Sequence, residues 1–116
     1  MIADLMRDIA ERDQTDLRTV HHFSSGIYAK QMHLPKGHVA VSHKHSYDHL
    51  SILATGVVTV QTDEGSRIHR APACIEIKAG VNHAITALED VTWFCIHATE
   101  ETDPEAVDRV LILKED

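Results

Sequence analysis

The chain has 116 residues and a mass of 12.9 kDa, with 43% hydrophobic and 25% charged residues, the size and make-up of one globular domain rather than a disordered, collagen-like or coiled-coil chain. A net charge of −7, from 11 Lys and Arg against 18 Asp and Glu, with the basic residues scattered singly, argues against nucleic acid as a partner. No apolar run reaches the ~18 residues of a membrane span, and Met1 to Ala10 carries acidic residues where a secretion signal needs a basic start, so no membrane partner and a cytoplasmic location are expected.

The first dozen residues predict a helix, since Ile2, Leu5, Met6 and Ile9 recur at the spacing of one helical face. From Leu17 onward the pattern changes to alternation, with short runs rich in Val, Ile and Thr. Turn residues fall every eight to twelve positions, roughly the spacing of an all-β sandwich or barrel. Strands are predicted near 18–23, 26–33, 38–43, 49–54, 56–62, 66–70, 73–78, 83–88, 91–98 and 107–113. Turns are expected at Pro35-Lys36-Gly37, Asp63-Glu64-Gly65 and Ala79-Gly80-Val81-Asn82. Thr102 or Asp103, followed by Pro104 and Glu105, carries the chemistry of a brief helix start. Two cysteines, Cys74 and Cys95, are too few for a disulfide scaffold and are expected to be reduced and buried.

Ten histidines outnumber all Phe, Tyr and Trp together, and four of them fall between Gly37 and His49. Histidine is the commonest metal ligand. On a strand His43 and His45 point the same way, about 7 Å apart along the chain, so two imidazoles can share one ion. A bend at Ser46, Tyr47 and Asp48 returns His49 toward the same point. The best fourth candidate is His83, which follows the Gly80 turn and opens the run Ala84-Ile85-Thr86-Ala87-Leu88. Tyr47 and Asp48 are the nearby groups able to move a proton, and a turn role explains them equally well.

These residues resemble the cupin superfamily. Its first motif reads glycine, five residues, histidine, one residue, histidine, three or four residues, glutamate, six residues, glycine. Gly37, His43, His45, His49 in the glutamate's place and Gly56 keep every spacing. Of the second motif only Gly80 and His83 match, while Pro72, Lys78 and Ala87 stand where a glycine, a proline and an asparagine are usual. The resemblance implies a small microbial cupin of a four-histidine variety. Its single domain over residues 1–116 would have a helical segment at 1–16 and a jelly-roll barrel, or double-stranded β-helix, over 17–116.

The resemblance further implies a divalent transition metal, Fe, Mn, Ni, Cu or Zn, inside the barrel on His43, His45, His49 and His83; imidazole suits Fe, Ni, Cu and Zn, while Mg and Ca prefer oxygen ligands. Parity proposes cavity walls: Val39 and Val41 with His43, Ser51 and Leu53 with His49, and Ile85 and Ala87 with His83. In the run Val91-Thr92-Trp93-Phe94-Cys95-Ile96-His97 either alternate set could face inward. Similar small cupins place an aromatic in the pocket here, which favours Trp93 and Cys95.

Glu76, between Ile75 and Ile77, is expected to face outward, His21 and His22 to lie at a surface or interface, His33, His38 and His69 to be exposed at strand ends, and His97 to have a structural role at the end of its strand. The expected function is a metal-dependent enzyme of the dioxygenase type acting on a small organic molecule. Two alternatives stand beside it: a non-catalytic metal or small-molecule binding or sensing module, and a metal-dependent isomerase or lyase. A homodimer is the expected assembly, because an open barrel edge invites pairing.

Overall fold

In the computed structural model the described residues are 16–42 and 48–99. Nine strands follow one another: β1 (Val20–Ser24), β2 (Ile27–Leu34), β3 (Val39–Ser42), β4 (His49–Thr55), β5 (Val57–Thr62), β6 (Gly65–Arg70), β7 (Ala73–Ile77), β8 (His83–Ala87) and β9 (Val91–Ala98). They match the first nine predicted strands to within one or two residues. The N-terminal helix, the short helix start near residue 104 and the strand at 107–113 lie outside the described residues.

All pairing is antiparallel, in a five-stranded sheet of order β1-β2-β9-β4-β7 and a four-stranded sheet of order β3-β8-β5-β6. Successive strands repeatedly switch sheets, which makes the double-stranded β-helix. Period-two patterning drives the closure. On β4 His49, Ser51 and Leu53 are buried while Leu50 and Ile52 are exposed; on β7 Ile75 and Ile77 are buried while Cys74 and Glu76 are exposed. Stacking the two inner faces removes both apolar sets from water at once. The core comprises Leu34, Leu53, Val58, Val60, Ile75, Ile77, Ile85, Ala87, Val91 and Trp93.

The two ends of the barrel are built differently. One end carries the turn at 35–38, the β4–β5 corner and the β8–β9 turn. Here Gly56 has φ +92°, and a Cβ on it would run into the Asp90 carbonyl and the Val91 side chain. Only glycine permits both the left-handed backbone and this approach. Asp90 accepts from the Lys36 N–H at 2.9 Å, tying the two turns together. At the opposite end the segments after β3 and after β7 lead into β4 and β8, and the β5–β6 hairpin closes beside them.

Candidate functional site

Three buried histidines meet the interior at that second end. His49 opens β4, His83 opens β8 and His97 lies near the end of β9; each is at most 6% exposed. The rings of His49 and His97 lie 4.2 Å apart between centroids, tilted by 34°. His83 pairs with Ser42 in the other sheet. Burial holds the His83 imidazole below its ordinary value of 6.5, offset in part by a hydrogen bond with the backbone of Val81. A neutral ring is the form that can donate its lone pair to a cation.

Outside these rings runs a short aromatic row. Tyr28, almost fully buried and opposite His97 in the ladder, lies 6.0 Å from it between ring centroids, with Phe23 stacked on its other side at 5.0 Å. Exposed His21 sits 2.6 Å from the Tyr28 hydroxyl through Nδ1. The row thus connects an imidazole in solvent with the buried pair.

Asp48 holds the entry to β4. Its carboxylate accepts from the Ala79 N–H at 2.8 Å and stands 3.8 Å from the Lys78 ammonium. Lys78 also pairs with Glu76 at 2.7 Å, and these two carboxylates, Glu76 first, raise the lysine's pKa. Asp48 therefore plays the turn role, binding the start of the His49 strand to the loop that leads to His83.

The sequence-derived residues separate as follows. His49 and His83 are buried on inner faces at the same end of the barrel. His43, His45 and Tyr47 lie outside the described residues. Ser51, Leu53, Ile85, Ala87 and Trp93 are buried on inner faces, and half-buried Cys95 packs against the core. The Ser51 hydroxyl donates to the Cys95 sulfur at 3.7 Å, and burial pushes the thiol's pKa up.

Val41 is a correction. The register sets it opposite Ala84, and Val39 opposite Thr86, whereas Ala40 pairs with Ile85 and Ser42 with His83, so Ala40, and neither Val39 nor Val41, shares the interior face. Cys74 is another, because it lies opposite Ile52 on the outer face and is exposed. His33 and His69 are half-buried rather than exposed, His33 being held by Gln31 and Thr92.

His97 is the buried histidine that sequence reasoning passed over. The signal was present: once Trp93 and Cys95 face inward, period-two alternation sends His97 inward as well. The inner faces of the described strands carry no carboxylate. They do carry Lys30, which pairs with Cys95 between Tyr28 and Met32. Among the described residues no three His, Cys, Asp or Glu side chains are grouped closely enough to hold one ion.

No helix among the described residues is long and apolar enough to cross a membrane. No family model matches the sequence, and no curated protein is detectably similar to it. Solved structures do resemble it. A cupin-2 domain protein from Halorhodospira halophila superposes with a TM-score of 0.62 at 15% identity, over 86% of this chain and 79% of that one. A cupin-2 domain protein from Shewanella frigidimarina gives 0.61 at 14%, over 82% and 92%. An RmlC-like cupin with a double-stranded β-helix from Methanocaldococcus jannaschii gives 0.60 at 14%, over 84% and 93%. Strand order, sheet pairing and these superpositions together give the chain the cupin fold.

Proposed function

We propose that this chain binds a divalent transition metal inside the barrel and uses it to act on a small organic molecule. The observation that carries the reading is the set of buried imidazoles from both sheets, His49, His83 and His97, at one end of an interior whose described strands present no carboxylate. Uncharged nitrogen donors suit Fe, Ni, Cu or Zn better than Mn and far better than Mg or Ca, which seek oxygen.

His43, His45, His49 and His83 are the proposed ligands, and His97, with its ring 4.2 Å from that of His49, helps to fix the His49 ring. When bound, such an ion supplies a Lewis acid and an open position for substrate oxygen atoms or dioxygen. The chain's own part is to orient and exclude. Asp48 fixes the approach of His49, Tyr28 holds His97 from behind, and Leu53, Ile85 and Trp93 close the far end against water.

The test is metal content of untagged protein after incubation with each ion in turn. About one equivalent of a tightly held ion is expected for a single mononuclear site, lost in His83→Ala and weakened in His49→Ala. Background levels with all five metals would overturn the reading. Dioxygenase chemistry is then checked by oxygen uptake with diketones, catechols and thiols, and an isomerase or lyase would remain active under anaerobic conditions. The absence of an inner-face carboxylate among the described strands favours a second reading, a binding or sensing module, which would hold ligand without turnover.

We place this activity in the cytoplasm and propose a homodimer, supported by exposed Val20, Leu50 and Ile52 on the five-stranded sheet.

A further inference from the structure

Between β6 and β7, each an edge strand of its sheet among the described residues, a cleft of about 450 Å³ opens at the histidine end of the barrel. Its inner wall includes His83, Val60 and Ile75. Arg67 pairs with buried Val60, so it lies on the concave face of β6 and lines the cleft, and His69, opposite Val58, lies on the same face. Arg67 makes no hydrogen bond or ion pair with any described residue. Glu64 and Glu76 also line the cleft, and Glu76 is engaged by Lys78 at 2.7 Å.

An arginine on an edge strand can serve simply to discourage pairing with another chain. That role needs neither an apolar wall nor a space behind the guanidinium. Here both are present. The guanidinium is a planar fork matched to a carboxylate, while Val60 and Ile75 offer an apolar surface to the rest of a molecule. A chain of net charge −7, with Glu64 and Glu76 lining the cleft, repels a dianion more than a monoanion.

We infer that the cleft between β6 and β7 binds a small apolar monocarboxylate, with Arg67 holding the carboxylate and Val60 and Ile75 contacting its body. The inference deepens the proposed function by naming the class of molecule brought up to His83, and it rests on that reading for the catalytic meaning of the contact. Binding itself does not require the metal.

The test uses benzoate and its neutral analogue benzamide, titrated into the full chain as purified and again after zinc loading, followed by methyl NMR and calorimetry. Wild type should bind benzoate, with shifts at the methyls of Val60 and Ile75, and should ignore benzamide. Arg67→Gln should weaken benzoate binding about tenfold, as expected for loss of a charge-assisted contact near solvent, and Arg67→Lys should fall between.

Equal binding of benzoate and benzamide, an unchanged affinity in Arg67→Gln, or tighter binding of inorganic phosphate would each overturn the inference. If Arg67→Gln fails to fold, the benzoate-to-benzamide contrast and the methyl shifts in wild type still decide it. Arg67-dependent benzoate binding in a protein that takes up none of the five metals would sink the metal reading and leave the cleft standing.

Discussion

Along three central strands the inward side chains change character from one end of the barrel to the other. β4 runs His49, Ser51, Leu53; β8 runs His83, Ile85, Ala87; β9, in the opposite direction, runs Val91, Trp93, Cys95, His97. At the apolar end the side chains fill the space, leaving a void of only about 10 Å³ among Leu17, Leu34, Ile85, Val91 and Trp93. At the histidine end a cleft of about 450 Å³ reaches His83. Close packing and an open polar site make opposite demands on the same residues. The barrel meets both by assigning them to different ends of the same strands.

The largest effect should come from hollowing the packed end. Trp93→Ala removes a 2%-exposed ring from the core and should cost about 3–5 kcal/mol of unfolding free energy. Urea denaturation of the purified variant measures it. A loss below about 1 kcal/mol would show that this end does not carry the stability and would break the contrast.

A smaller loss should follow from Gly56→Ala at the same end, where the new Cβ meets backbone. With the left-handed φ added, the cost should be about 3 kcal/mol. Gly37→Ala has the same backbone penalty but open space around it, so about 1 kcal/mol is expected. Comparison of the two denaturation midpoints separates steric crowding from backbone strain. Equal losses would remove the close Gly56–Asp90 approach as a determinant of the fold.

The histidine end should reveal itself through pH, with the smallest effect. Burial depresses the folded His83 pKa below 6.5, so the unfolded chain takes up a proton that the folded chain refuses. Stability from this group is fully present above about pH 6.5 and declines as pH falls through the lower folded value. Thermal melts between pH 8 and 5 should show a decline that is reduced in His83→Phe. An identical pH profile in wild type and variant would place the sensitivity elsewhere.

Much of the fold was legible because the evidence for a strand is local. Alternation in 49–55 and 73–77, and turn residues at Asp63-Glu64-Gly65, mark elements without reference to the rest of the chain. The spacing of Gly37, His49, Gly56, Gly80 and His83 marked where the resemblance lies, and Gly56 proved to be the position that only glycine can fill.

The site was legible only in part. His49 and His83 could be named from spacing, but the inner face of β3 depends on pairing Ala40 with Ile85, forty-five positions away in the chain numbering, and parity counted from His43 chose the other face. His97 was overlooked because an isolated histidine near a strand end has no local mark, and Arg67 because charge on an edge strand is common.

The sequence by itself determined the strands and the glycine-marked corners, since backbone preference and period-two patterning act between near neighbours. Only the tertiary structure decided which alternate set of each strand faces inward, brought His97 against His49, and aimed Arg67 toward the cleft beside His83. Those outcomes depend on cross-strand register, in which a slip of one residue turns every side chain to the opposite face. Register is fixed by hydrogen bonds and burial shared between segments far apart along the chain.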